Sequence, residues 1–410
     1  MKSYFITSNS IEKGPSSGIN VVKGDADFLY DHSKKYLDLR SGLWNVSLGY
    51  NNTLLKKIKE EFGLILDNGI PYLDINSYHH DYYDEYSKRI LKFMDEDDVF
   101  VSASFTTGGS EGVEMSVKIS HDFANSVGKN NKKIIIFKNS YHGTFFGSMS
   151  VSHKFFGLKH SYETVNDVII VEPPKNEEDL KNISSIIYDN RDDIASFIIE
   201  PVLGSAGSIN IKEEYLDRII GLCKECDILT IFDEVSTGFY RTGERFAFTN
   251  LHQKPNIVIL SKSINNGIVP FGVIVVDKYT YRHLQNQNIN HFSTQSGNLL
   301  GVTSALVTLD FFQQNENIIK ENVKLINSTM LELSQLNSVF VNGRGAMFSV
   351  PVENVSKAVR IRDSLKQMGI LVYIYHNTDD SSGITIYPNL LMNPKELEKS
   401  LKIIFRKMRD

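Results

Sequence analysis

Six short runs constrain this chain more than any other feature: Lys133–Phe137, Val168–Val171, Ser196–Ile199, Ile228–Phe232, Ile257–Leu260 and Val273–Val276. They are apolar at nearly every position and rich in β-branched residues. A strand with one wet face alternates polar and apolar side chains, because successive residues point to opposite faces. These runs do not alternate, so they read as strands buried on both faces. Helix-like stretches separate several of them, for example Glu111–Ala124, Glu177–Tyr188 and Glu214–Cys226. That order predicts an α/β fold with a mixed, mostly parallel sheet flanked by helices. In such sheets a ligand sits at the carboxyl ends of the strands, so chemistry is expected in the loops that follow these runs.

The 410 residues leave room for a second, smaller domain. Asn298–Gln314 and Ile318–Leu336 read as long helices. Short strands near Phe340–Pro351 and Gly383–Tyr387 and a final helix from Pro394 follow. The expectation is a large domain at 51–297 and a smaller α+β domain at 298–410. The N-terminal segment 1–50, which carries strand and turn signals, joins the smaller domain.

A net charge of -5 without a Lys/Arg run argues against a nucleic-acid partner. No apolar run approaches the ~20 residues that span a bilayer, so no membrane partner is expected. The opening residues lack the apolar core of a signal peptide, and the expected location is the cytoplasm. The only cysteines, Cys223 and Cys226, lie one turn apart on a helix-like stretch. A zinc site would need two further ligands at metal spacing, and none is present, so no metal is expected.

Four motifs follow strand-like runs. Thr106-Thr107-Gly108-Gly109-Ser110-Glu111 opens a helix after Val99–Phe105. Glycines there let backbone approach an anion, and a helix N-terminus favours a phosphate, although a plain turn looks the same. Tyr141, in Ser140-Tyr141-His142-Gly143, could stack on a flat ring or be an ordinary loop aromatic. Asp233 would end a buried strand, where a carboxylate needs a partner such as a protonated ring nitrogen, a helix cap or an ion pair. Lys262 follows the run Ile257–Leu260, and a lysine there must be paired, deprotonated or covalently used. Taken together, the four match the parts of pyridoxal phosphate: phosphate, aromatic ring, basic ring nitrogen and aldehyde.

With these motifs in view, the chain resembles the class III aminotransferases of the fold-type-I pyridoxal-phosphate superfamily. The matching segments are YLDLRSGLWNVSLGY (36–50), TGGSEGVEMSVKIS (107–120), YHG (141–143), IIEPVLGSAGS (198–208), IFDEVSTGFYRTGERFAF (231–248), NIVILSKSINNGIVPFG (256–272) and FSTQSGN (292–298). The resemblance implies that Lys262 carries the cofactor as a Schiff base and later moves protons. It implies that Asp233 pairs with the pyridine nitrogen, that Val235 and Tyr141 pack on opposite ring faces, and that Gly109 and Ser110 hold the phosphate. His142 and Glu200 fall among the implied cofactor-binding positions. Thr294 aligns with a threonine that reaches the phosphate of the neighbouring subunit, which implies a homodimer. The implied reaction is ping-pong amino transfer between an amine and a carbonyl compound through pyridoxamine phosphate.

Two departures bear on the substrate. Many members hold a substrate carboxylate with an arginine where Thr385 stands here, and several gate it with a glutamate where Ser205 stands. A buried carboxylate without a bidentate arginine loses its strongest partner. The expected substrate therefore lacks a clamped α-carboxylate, as in a tailored metabolite or a peptide end, unless Arg40 or Arg344 substitutes. Ser236 also stands where a glutamine often contacts the ring hydroxyl. An epimerase, aminomutase or phospho-lyase on the same scaffold is the alternative reading.

Overall fold

The computed structural model describes residues 18–94, 98–153 and 167–409. Residues 1–17, the start of the expected N-terminal segment, lie outside it. Among the described residues seventeen strands follow one another in chain order. A meander opens the chain: β1 (Lys23–Asp25), β2 (Phe28–Tyr30) and β3 (Lys35–Asp38), with both pairs antiparallel. Next come β4 (Phe100–Thr106), β5 (Lys133–Phe137), β6 (Val168–Val171) and β7 (Ile194–Ile199). A two-stranded hairpin, β8 (Val202–Leu203) and β9 (Ile209–Asn210), follows directly. Then β10 (Leu229–Asp233), β11 (Ile257–Leu260) and β12 (Gly272–Asp277) complete the central region. The C-terminal part holds β13 (Asn342–Arg344), β14 (Met347–Val352), β15 (Ile370–Leu371), β16 (Tyr373–His376) and β17 (Ser382–Ile386).

The central sheet has seven strands in the order β4-β12-β11-β10-β7-β5-β6. Its β5, β6, β7, β10 and β11 pair in parallel, while β12 runs antiparallel to both its neighbours, β11 and β4. Two reversals cancel, so β4 points the same way as the parallel strands. The carboxyl ends of β4, β5, β10 and β11 therefore lie along one edge of the sheet.

Both faces of this sheet are buried, as the missing alternation predicts. Ile134, Ile136, Ile231, Ile257 and Ile259 pack with Val113, Ile119 and Phe123 of the helix Gly109–Ser126. Ile135, Phe137, Phe232, Val258 and Leu260 point the other way, into a cluster with Leu216 and Ile219 of the helix Glu213–Glu225. Withdrawing each such side chain from water stabilises the fold by about 1.5–3 kcal/mol.

Away from that sheet, β13-β14-β17-β16 form an antiparallel layer backed by the helix Val355–Gln367, and the helix Pro394–Arg409 packs against that helix and against Glu316–Leu336. Near the chain start, β3 pairs in parallel with β15, Leu37 opposite Ile370. That register ties residues of the opening segment to residues more than three hundred positions later. No described helix is long and apolar enough to cross a membrane.

Candidate active site

Each of the four motifs sits where one of these strands ends. After β4 the chain turns through Gly108 into the helix Gly109–Ser126. A Cβ on Gly109 would lie 2.8 Å from Val235 Cγ2, so only glycine lets the helix start this close to the residue that follows Glu234. A Cβ on Gly108 would meet nothing within 4 Å, which leaves open space beside the helix N-terminus. In the first turn, Glu111 is buried. Its Oε2 accepts from the Thr107 N–H at 2.8 Å and from the Thr107 hydroxyl. Its Oε1 accepts from Ser296 Oγ at 2.8 Å and pairs with His291 Nε2 at 3.2 Å. Burial alone would raise this carboxyl, but the bonds from His291, Thr107 and Ser296 hold it down to about 2.

The loop after β5 brings Tyr141 and His142 to the same edge. The Tyr141 N–H donates to Glu200 Oε1 at 2.8 Å. His142 Nδ1 lies 2.8 Å from Asp233 Oδ2, and because a carboxylate accepts, that nitrogen carries the proton. His142 Nε2 is buried without a partner among the described residues. The other oxygen of Asp233, Oδ1, accepts from the Val235 N–H at 3.2 Å. Glu200 also accepts from the Gly204 N–H at 3.2 Å, so one carboxylate ties Tyr141 to the hairpin turn. Burial and the negative charge of Asp233 push Glu200 up to about 7, although His142 opposes the shift.

Lys262 leaves β11 with φ +46°, a left-handed backbone that costs a side-chain-bearing residue about 1–3 kcal/mol. Its amine donates to Ser236 Oγ at 2.6 Å and lies 4.7 Å from the centroid of the Trp44 ring. The residue as a whole is partly exposed, but its amine is deep in the cleft. Burial lowers that amine to about 8, while the charges of Asp233 and Glu200 pull it back up. It is thus far more often neutral near pH 8 than an ordinary lysine, and a neutral amine is a nucleophile and a base.

The structure gathers Gly109, Ser110, Tyr141, His142, Glu200, Asp233, Val235 and Lys262 at this edge. Among the described residues, no bond ties Thr294 to them. It is exposed, and its carbonyl accepts from Tyr72 Oη at 2.8 Å. Thr385 is fully buried in β17, in register with Ser349 and Tyr373, and its hydroxyl has no partner among the described residues. Ser205 lies in the turn between β8 and β9. Arg344 is engaged by Glu213 at 2.8 Å, and Arg40 Nε stands 3.8 Å from Asp38. Cys223 and Cys226 are free and buried.

The motif reading did not single out Trp44 or Arg241. Trp44 is the only tryptophan in the chain. It stacks at a tilt on Tyr387, centroids 4.8 Å apart, and meets Tyr373 edge-on at 6.3 Å. Its segment, YLDLRSGLWNVSLGY (36–50), matches the family and in the family reaches the site, but nothing local shows that this ring lies over Lys262. Arg241, inside the RTG triplet, is fully buried.

The chain resembles known proteins along almost its full length. It is 28% identical over 397 residues to "Acetylornithine aminotransferase" of Aquifex aeolicus, covering 94% of this chain and 96% of the relative. It is 29% identical over 438 residues to "Adenosylmethionine-8-amino-7-oxononanoate aminotransferase" of Staphylococcus aureus, covering 95% and 91%. Its fold superposes on the crystal structure of a transaminase from the marine bacterium Virgibacillus with a TM-score of 0.89 and 25% identity, covering 99% and 96%. The family model for "Aminotransferase class-III" matches residues 11–408, so the chain belongs to that family and is a pyridoxal-phosphate-dependent aminotransferase.

Proposed function

We propose that Lys262, Asp233 and Tyr141 carry the amino transfer and that the substrate lacks an arginine-clamped α-carboxylate. The observation that carries the first part is the Lys262 amine, lowered to about 8, at the same sheet edge as the buried Asp233 carboxylate. The residues fit pyridoxal phosphate. The open space at Gly108 beside a helix N-terminus suits its phosphate, and Asp233 is a buried anion suited to a protonated ring nitrogen. When bound, this cofactor supplies an aldehyde for amines and a ring that withdraws electrons.

The chain supplies position and proton traffic. Lys262 Nζ would hold the cofactor and, once the donor amine has taken its place, would carry the proton removed from the donor's amine-bearing carbon. Asp233 keeps a proton on the ring nitrogen, and the His142 Nδ1–H fixes its second oxygen. Val235 and Tyr141 cover the two ring faces, and Glu200 holds the Tyr141 backbone. Gly109 and Ser110 take the phosphate. The exposed Thr294 completes the cradle of a partner subunit in a homodimer, with the large region 51–297 supplying the cofactor site. The two free, buried thiols are in keeping with a reducing cytoplasm.

Thr385 supports the substrate reading. An unpartnered buried hydroxyl stands on β17, Arg344 is taken by Glu213, and aromatic rings line the approach to Lys262. The named relatives, acetylornithine and 8-amino-7-oxononanoate enzymes, differ in substrate and give no single donor. The test is the visible absorption of the Lys262-bound cofactor, with Lys262→Ala as control. Amines without an α-carboxylate should deplete the band through net amino transfer, and L-glutamate should leave it in place. Depletion by glutamate with ordinary saturation refutes the substrate reading. Turnover that always ends in the aldehyde form favours the epimerase or lyase alternative.

A further inference from the structure

Lys262 projects its amine from a backbone that its own conformational preference opposes, so neighbouring groups must hold the turn. Side chains on both sides do so. Ser261 Oγ donates to the Phe271 carbonyl at 2.8 Å. Asn265 Nδ2 donates to the Val269 carbonyl at 2.7 Å. Asn266, itself left-handed, accepts from the Leu48 N–H at 2.8 Å and donates to the Gly49 carbonyl at 3.1 Å. The residue directly after the lysine is held differently. Ser263 Oγ lies 2.5 Å from Ser47 Oγ, and Ser47 Oγ accepts from Arg241 Nη2 at 2.8 Å. All three residues are buried.

Arg241 is an unusual end for such a chain of contacts. Among the described residues no carboxylate pairs with it. Its Nη1 donates to the carbonyls of Ala346 and Pro388, and its Nε is buried without a partner. Burial lowers it only to about 10, so it stays charged at neutral pH. A buried cation held by neutral groups is costly, and hydrophobic packing would serve stability better. What the charge adds is polarisation: a hydroxyl that accepts from a guanidinium becomes a stronger donor onward. Ser47, already an acceptor from Arg241, keeps its own proton available for Ser263, and the relay joins the turn after β11 to Ala346 and Pro388 in the C-terminal part.

We infer that Arg241 is a positioning residue for Lys262, acting through Ser47 and Ser263 to hold the left-handed turn from which the amine projects. The inference rests on Lys262 being the attachment lysine. Removing the buried cation risks the fold, so the test cuts the relay instead. Ser47→Ala, Ser263→Ala and their double variant leave Arg241 with its two carbonyls. Ser47→Cys keeps the size while weakening the donor.

Full-length apo protein is mixed with pyridoxal phosphate, and capture is followed by absorbance. Borohydride trapping with peptide mapping then identifies the lysine. Labelling of Lys262 by trinitrobenzenesulfonate is followed against pH without cofactor. Each single variant should slow capture about tenfold, the effect of one lost charge-assisted contact. The double variant should be no slower than either single, because one relay is cut once or twice. The pH midpoint of labelling should rise in all of them. Unchanged capture and labelling in the serine variants overturns the inference, whatever happens to stability. So does a double variant whose loss is the sum of the two. Trapping on another lysine in the unmutated protein overturns the functional reading itself, and the relay with it.

Discussion

Two walls of the same cleft are built by opposite rules. Behind the proposed cofactor position every charge is tied down. Asp233 is bonded through both oxygens, Glu200 holds two backbone N–H groups, and Glu111 uses both oxygens on three residues. Across the cleft, toward β16 and β17, the wall is Trp44, Tyr373, Tyr387 and the unpartnered hydroxyl of Thr385. In low dielectric an unpaired charge is far more costly than an unpaired hydroxyl. The wired wall therefore tolerates little change, whereas the aromatic wall can be altered without stranding a charge. One side is committed to a reaction, and the other leaves the choice of substrate open.

The sharpest break of that contrast comes from Lys262. Lys262→Ala should abolish the visible band and cut turnover by about 10⁴-fold, the upper end of what a positioned base contributes. Asp233→Asn comes next. It should lower kcat by about 10²–10³-fold in single-turnover assays while pyridoxal phosphate still binds. If Asp233→Asn costs less than a substitution on the aromatic wall, the contrast is wrong.

A smaller effect tests the wiring through pH. The folded-state pKa of Glu200, about 7, lies above its ordinary 4.5, so the folded protein binds this proton more tightly than the unfolded chain. Its contribution to stability is full below pH 4.5 and is lost as pH rises through 7. Glu200→Gln should flatten the fall in thermal midpoint across that window. Glu234, also pushed up to about 7 by burial, should keep part of the slope. A slope unchanged by Glu200→Gln would mean that the carboxylate is not strained by its surroundings.

The smallest effect belongs to the other wall. Thr385→Val removes a buried hydroxyl that has no partner, so stability should hold or rise by about 1 kcal/mol in urea unfolding. A loss of similar size would give the hydroxyl a partner and weaken the contrast.

Much of the wired wall was legible in the chain because its signals are local. Asp233 follows the run Ile228–Phe232, apolar except at Thr230, and Lys262 follows Ile257–Leu260 with one serine between. The expected strands formed within two residues of their anticipated limits. Val273–Val276 formed too, as β12, but nothing in an apolar run reveals its direction. The aromatic wall was hardly legible. Trp44 reaches Lys262, and Thr385 faces Tyr373, only through contacts between distant segments.

The sequence by itself determined the layers and the chemistry. Apolar runs without alternation must be buried on both faces, and a lysine or aspartate at their ends must be used or paired. Only the tertiary structure decided which strand ends share an edge. That outcome depends on β12 running antiparallel between β11 and β4, and its pairing with β4 joins segments more than 160 residues apart. It also decided that Arg241 reaches Ser47 across 194 positions and bears on the turn of Lys262. The physical reason is the same in both cases. Side-chain pattern sets what each segment must bury, whereas hydrogen-bond register between distant segments sets what each buried group meets.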